Sequence, residues 1–323
     1  MLIIEIKHQC YFIFEQTFCY LLIFKHLAKQ NIQLILVHYL IFHHHNFNFM
    51  ANILKKFLQA FEPEKQTLVK KKLGFFSDSE GILNRYLREK ENWENHLQNT
   101  KKFILQATEN KDKNIAVILG SGWLLDIPLQ ELSSIFQKVY LVDIVHSKQV
   151  KHKISKIHNV ELIEHDITGG ALEGVFDLVA KYNTNNRQQL DEIELINTNF
   201  GLPANVKPDF VASVNLLSQL DYFALAYLKK HTTFCPISLG EFKEKIQKAH
   251  LSFLPKQKSC IITDYKETVY KDNDPKQLIR ETFLLKVKFS DKEIANKWKW
   301  DFDTHKSYYA EGNTFMNVMA LNY

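Results

Sequence analysis

Asn114-Ile115-Ala116-Val117-Ile118-Leu119-Gly120-Ser121-Gly122-Trp123-Leu124-Leu125-Asp126-Ile127-Pro128-Leu129 is the segment from which the architecture of this chain can be read. Five aliphatic residues in a row run into Gly-Ser-Gly, and a helical pattern comes next. An uninterrupted apolar run of this length suits a parallel strand covered by helices on both faces. Glycine at 120 and 122 gives the turn access to positive φ and lets a ligand approach the backbone with no Cβ in the way. About twenty residues on, Val139-Tyr140-Leu141-Val142-Asp143 is a second apolar strand that ends in a carboxylate. Strand, Gly-x-Gly turn, helix, strand, acid is the layout of a nucleotide-binding βαβ unit, where the acid receives ribose hydroxyls. An ordinary turn that happens to use two glycines is the plainer reading, and the placement of Asp143 tells against it.

The pattern continues downstream. A basic helix over Ser147–Ile157 leads to a third strand, Val160–Glu164, followed by His165-Asp166-Ile167-Thr168-Gly169-Gly170. Asp166 stands where this strand would deliver a second acid to the crevice of Gly120 and Asp143, since open α/β sheets bind ligands at the carboxyl ends of their strands. Residues 171–208 read as polar and irregular, with loops at 183–187 and 202–204 around an acidic helix near Asp191–Ile196. A fourth strand over Asp209–Val214 runs into Asn215-Leu216-Leu217-Ser218-Gln219-Leu220, then a helix through Phe223, Ala224 and Tyr227 and another over Gly240–Leu254. Strand five is Ser259–Asp264. Two more strands are expected at Phe283–Phe289 and Thr314–Leu321, the latter alternating poorly, as a central strand would. Trp298-Lys299-Trp300 has no periodic partner. Upstream, 50–110 is helical in pattern: Ile53 to Phe61, a segment capped by Ser77-Asp78-Ser79-Glu80, and a third through Trp93 to Leu105. Such helices can lie over the strand ends, which makes Trp93 and His96 packing groups first and ligand-facing groups second. The fold class is therefore α/β: a Rossmann-like, doubly wound, mostly parallel seven-stranded sheet with helices on both faces and an N-terminal helical cap.

The 323 residues divide as 1–49, 50–110 and 111–323. Residues 1–49 contain no Gly or Pro, carry 6 of the 14 His and 7 of the 24 Phe, and hold only five charged side chains, which sets them apart from the rest of the chain. Their apolar runs are broken by Glu15, Lys25 and Lys29, so neither a signal peptide nor a membrane span is indicated. We expect Met50 to be the native start, and a peptide from 1–49 in the mass spectrum of the natively expressed protein would overturn that. His38 and His43-His44-His45 have no further ligands at metal-binding spacing, and no metal is expected. A net charge of +5 is mild, and no basic stripe is interleaved with aromatics, so nucleic acid is not implied. Lys70-Lys71-Lys72 and the lysines of 148–156 read as solvated helix faces. Cysteines at 10, 19, 235 and 260 lack redox or metal spacing, which suits a reduced, cytoplasmic compartment.

The turn could serve NAD or S-adenosylmethionine. The third glycine of the dinucleotide fingerprint would fall at Leu125, and Leu125 with Asp126 puts bulk and negative charge where a pyrophosphate would sit. A cationic methionine portion meets no such repulsion. Leu119-Gly120-Ser121-Gly122 with Asp126–Leu129, Leu141-Val142-Asp143, His165–Gly169 and Asn215–Leu220 come in an order that resembles class I S-adenosylmethionine-dependent methyltransferases, and within them a poorly characterised bacterial branch. The resemblance implies that Gly120, Ser121 and Gly122 cradle the methionine portion, that Asp143 takes the ribose hydroxyls, that Asp166 sits near the adenine amino group, and that Asn215 faces the donor methyl. Two departures matter: Ile118 replaces the acid usual before the glycine turn, and no Asn/Asp-Pro-Pro-aromatic signature follows strand four.

Methyl transfer asks mainly for in-line positioning, and for a base only if the acceptor sheds a proton. Asn215, His146 and Asp264 are the catalytic candidates. His146 reads first as a surface residue and Asp264 as a strand-end cap. Ser218 and Gln219 are equally suited to capping a helix and to touching substrate. The leading expectation is a methyltransferase with a small-molecule acceptor; the alternatives are a non-catalytic nucleotide-binding module with a degenerate fold and an NAD-dependent oxidoreductase. The sequence names neither the acceptor nor an oligomeric state.

Overall fold

The computed structural model describes residues 64–184, 193, 196–198, 200–201, 206–233, 236–271, 274 and 276–323. The readings made for 1–49, for the first helix at 53–61, and for most of 185–195 and 202–205 lie outside the described residues. Helices α1 (Lys65–Leu73) and α2 (Phe75–Ala107) come first. Then come β1 (Ile115–Leu119), α3 (Leu129–Ile135), β2 (Lys138–Asp143), α4 (Lys148–Ile154), β3 (Val160–Glu164), α5 (Ala171–Thr184) and β4 (Phe210–Val214). The chain closes with α6 (Tyr222–His231), α7 (Pro236–Phe253), β5 (Ser259–Tyr270), β6 (Leu278–Phe283), β7 (Ile294–Asp303) and β8 (Asn313–Asn322).

The strands form one sheet in the order β3-β2-β1-β4-β5-β8-β7, with β6 pairing to β5 off that path. The first five are parallel, while β8 runs antiparallel between β5 and β7. Strand order reverses between β1 and β4, which opens a crevice at their carboxyl ends. Alternation along β1 sends Ala116 and Ile118 into a core shared with α2 and α3, and Val117 and Leu119 into a second core shared with α5, α6 and α7. Every residue from Ala116 to Leu119 is fully buried, so the aliphatic run is what two helical layers require.

Several sequence readings need correction. Among the described residues seven strands follow one path across the sheet, and an eighth, β6, pairs off it. Strand β5 continues to Tyr270 through a bulge between Asp264 and Lys266, so Asp264 lies within the strand and not at its end. The strand expected at Phe283–Phe289 ends at Phe283 and begins at Leu278; it is a largely exposed arm paired only to β5. Strand β7 has no counterpart among the strands expected from sequence. Its apolar residues Trp298, Trp300 and Phe302 follow the period of two and pack towards α2, separated by Lys299 and Asp301. Strand β8 is central, as its weak alternation suggested, and is buried along nearly its whole length. Helix α2 is continuous over the two later segments, with Glu89 non-helical (φ −103°, ψ 16°) inside it. It starts directly after Gly74, whose φ of +96° ends α1, so Ser77 lies in its first turn and donates its hydroxyl back to the Gly74 carbonyl (2.9 Å). Lys70 is buried and paired with Glu164 (3.1 Å) and is not part of a solvated face. No described helix is long and apolar enough to cross a membrane.

Candidate functional site

The glycine turn is fixed by contacts that no other residue would permit at 120. Gly120 has φ +81°, and a Cβ there would stand 2.5 Å from the Val214 carbonyl oxygen and 2.6 Å from Leu216 Cγ. The turn is thereby pressed against the end of β4. Its N–H donates to the Val142 carbonyl (2.9 Å), which ties it to β2 as well. Gly122, at φ +45°, has open space where a Cβ would lie, and its N–H donates to Asp143 Oδ2 (2.8 Å). Asp143 Oδ1 accepts from the Ile144 N–H (2.7 Å). Burial raises the Asp143 carboxyl above its ordinary range, and the amides of Gly122, Ile144 and Val145 pull the other way.

After the turn the chain does not enter a helix at once. Residues 122–126 form turns and bends, and α3 begins only at Leu129. Asp126 is thus not at a helix N-terminus; its side chain reaches the end of β4, where Asn215 Nδ2 donates to Asp126 Oδ2 (2.8 Å). Burial pushes the Asp126 carboxyl up to about 6, against hydrogen bonds from its own amide and from Asn215. Asn215 holds a left-handed conformation (φ +50°) and donates its backbone N–H to the Ile262 carbonyl (2.8 Å). On its other side lies His96 Nε2 at 3.2 Å, and Trp298 Nε1–H donates to His96 Nδ1 at 3.1 Å. Indole is a donor only, so Nδ1 is bare and the imidazole is neutral, with its proton on Nε2. Burial agrees with this and lowers the His96 pKa to about 3. The ring lies flat on Trp300, with centroids 3.9 Å apart and planes within 5°.

One cleft joins these groups. Gly120, Gly122, Asp143, Asp166 and Asn215 line the side made by the strand ends, and Ile82, Trp93, His96 and Asp126 line it towards α2. Trp123 Nε1–H donates to the Ser79 carbonyl (2.7 Å) and clips the glycine turn to α2. Among the expected residues, Asp166 lines the cleft but is largely engaged: its carboxylate accepts from the Thr168 N–H (2.8 Å) and hydroxyl (2.6 Å) and from the Gly170 N–H (3.2 Å). Burial raises its pKa as well.

Three expected residues stand away from the cleft lining. Ser121 is buried, and its Oγ meets His146 Nε2 at 3.0 Å. His146 is only 4% exposed, not a surface group, and burial lowers it to about 4. Asp264 is buried and accepts a hydrogen bond from the Ser218 hydroxyl, which explains Ser218 without a substrate; Gln219 does line the cleft. The site residues that the pattern missed are Asp126 as a cleft group and Trp300. Asp126 signals itself in the sequence only as charge at a helix start that lies elsewhere, and Trp300 is legible in the i, i+2, i+4 aromatics of β7. Among the described residues no group of His, Cys, Asp and Glu is placed to hold a metal ion.

No family model matches the chain, and no curated protein sequence is similar to it. Among solved structures it is similar to the Burkholderia thailandensis 1,6-didemethyltoxoflavin N1-methyltransferase with bound S-adenosylhomocysteine (9% identity, TM-score 0.33, 76% of this chain and 87% of that one). It is also similar to the N-methyltransferase NodS of Bradyrhizobium japonicum with S-adenosylhomocysteine (5% identity, TM-score 0.32, 69% and 86%). A third is coclaurine N-methyltransferase bound to N-methylheliamine and S-adenosylhomocysteine (8% identity, TM-score 0.33, 70% of each chain). At such scores these are loose likenesses, and a functional reading has to stand on the geometry of the cleft.

Proposed function

We propose that the chain binds S-adenosylmethionine at the strand ends and passes its methyl group to a small molecule held between them and α2. The observation that carries the reading is the meeting of the Gly122 N–H with the Asp143 carboxylate at 2.8 Å, on the cleft that opens where strand order reverses between β1 and β4. Two further features argue for this ligand over a dinucleotide. No lysine or arginine is among the described residues lining the cleft, whereas Asp126, Asp143 and Asp166 are. The helix after the turn starts too late to offer its N-terminus to a pyrophosphate. A sulfonium fits such a setting, and a diphosphate does not.

In this reading Gly122 leaves the backbone open to the methionine portion, and Gly120 lets the turn close on the end of β4 beneath it. Asp143 offers its remaining lone pairs to the ribose hydroxyls, Asp166 stands towards the adenine, and Asn215 faces the reacting group. When bound, the donor supplies an electrophilic methyl on sulfur: the acceptor's lone pair takes it, the carbon–sulfur electron pair stays on sulfur, and the acceptor's own proton leaves to solvent. The chain's part is placement, which is where most of the rate of such a displacement comes from. Ile118, fully buried in β1, brings no carboxylate to the cleft and so favours, as a second reading, binding without turnover.

Calorimetric titration with S-adenosylmethionine, S-adenosylhomocysteine and NAD tests the proposal. Micromolar binding of the first two and none of NAD is the expected result; binding of NAD alone overturns it. Asp143→Ala is expected to weaken the adenosine ligands at least 100-fold. Slow conversion of S-adenosylmethionine to S-adenosylhomocysteine would separate an enzyme from a binding module.

A further inference from the structure

The half of the cleft next to α2 has a composition that speaks to what it receives. Its walls are aromatic: Trp123, Phe75 and Phe223 are partly exposed, while Trp93 and Trp300 are buried and stack on Phe302 and His96. Its charged groups are carboxylates, Asp78 near the mouth and Asp126 against Asn215. The one basic side chain among the described residues that line it is His96, and the Trp298 N–H donated to Nδ1 keeps that ring uncharged. The nearby Arg85 is turned elsewhere, with its guanidinium 4.6 Å from the Phe302 ring centroid and 4.9 Å from that of Tyr308. A carboxylate or phosphate entering this half would lose its water and find no lysine or arginine in the lining, since Arg85 and Lys101 act on Asp78 and Asp126 only from outside it. A flat cation would gain both the ring faces and the acids. Asn215 Oδ1 adds a direction, since it is buried in the wall without any hydrogen-bond partner and can accept an N–H.

Building on the methyl-donor reading, we propose that the acceptor is a flat, apolar amine, taken up as its cation with its ring against Trp123 and its N–H groups towards Asn215 and Asp126; the ammonium gives up one proton to the Asp126 carboxylate, the freed lone pair takes the methyl, and anionic acceptors are excluded. Selectivity then comes from missing cations as much as from present acids, because an anion that sheds its water on entry finds no cation in the lining to compensate it. This places Asp126, Asn215 and His96 together as the specificity-determining group of the α2 side.

Three probes that share one ring and differ in charge decide the matter: tryptamine, indole and indole-3-acetate. Titrating S-adenosylhomocysteine alone into the full chain comes first and judges the donor reading by itself. The probes are then titrated with and without it. Tryptamine is expected to bind at least tenfold more tightly than indole-3-acetate, with indole between them. Asp126→Asn and Asp78→Asn are each expected to narrow the gap, with circular dichroism unchanged. Equal affinities, a reversed order, or binding of none of the three would overturn the proposal, whether or not S-adenosylhomocysteine binds.

Discussion

Gly120 and Gly122 look equivalent in the sequence and are not. At 120 an added Cβ meets a backbone carbonyl oxygen at 2.5 Å, and the backbone cannot step aside. Gly120→Ala should therefore cost about 2–3 kcal/mol, read as a lower urea midpoint, because it adds a clash to the positive-φ penalty. Gly122→Ala meets open space and should cost only about 1 kcal/mol, the conformational part alone. Spacing made both glycines visible as a turn, but the asymmetry depends on Val214, which no local pattern places beside 120. The same holds for Asn215 and His96, which lie 119 residues apart and meet at 3.2 Å. Asp126 faces Asn215, with Lys101 and Asp143 acting at longer range, and its folded pKa of about 6 lies above the ordinary 3.8. A group raised in this way contributes stability that is full below about pH 4 and is lost as pH rises through 6. Asp126→Asn mimics the protonated acid and should remove that loss, about 1 kcal/mol after allowing for water in the cleft. Thermal melts from pH 4 to 8 should show a smaller decline for Asp126→Asn than for the parent chain; parallel curves would refute the coupling.

Helix α2 shows how one buried acid can shape an element. Glu89 is fully buried at the non-helical point of the helix, and its carboxylate leaves the helix to reach the loop after β7. It accepts from the Thr304 N–H (2.9 Å), the Thr304 hydroxyl (2.8 Å) and Asn92 Nδ2 (2.7 Å), and meets His305 Nδ1 at 2.6 Å. Burial alone would raise its pKa, and the bonds from His305, Asn92 and Thr304 outweigh it to hold the carboxyl near 2. A depressed carboxyl contributes stability that is full above its unfolded value of 4.5 and disappears as pH falls towards 2. Melting temperature should thus fall between pH 4.5 and 2 by an amount equivalent to roughly 2–3 kcal/mol, and Glu89→Gln should flatten that step while costing stability at neutral pH. The kink itself was not legible, because Glu89 sits in a good helical pattern and its partners Thr304 and His305 come more than 200 residues later. Trp93 belongs to the same seam: it donates Nε1–H to the Phe302 carbonyl (3.0 Å) and meets Trp300 edge-on at 4.8 Å. Without β7 in view, Trp93 could only be read as a generic packing residue.

Across the molecule as a whole, the parallel half of the sheet was legible because each strand, turn and acid is encoded within about thirty residues. In the antiparallel half the start of β5 and all of β8 were legible as apolar runs, whereas β7 was not, since its aromatics alternate with Lys299 and Asp301 and find their partners only on α2. The two halves also divide the work. The cleft is built from the ends of β1, β2 and β4, while β7 contributes Trp300 and Trp298 from behind through α2 and His96. A ligand that binds only the folded chain stabilises it by mass action, by about 2.7 kcal/mol at a hundred times its Kd. Because the adenosine contacts fall on the glycine turn and the neighbouring strand ends, the local part of that effect should be confined to them. Hydrogen exchange with saturating S-adenosylhomocysteine is expected to slow at least tenfold for amides of 120–126, 143–146 and 215–220. Amides of β6, at the exposed far side of β5, should exchange at unchanged rates apart from any global opening. Protection centred on β6, or spread evenly over the sheet, would place the ligand elsewhere and remove the glycine turn from the binding site.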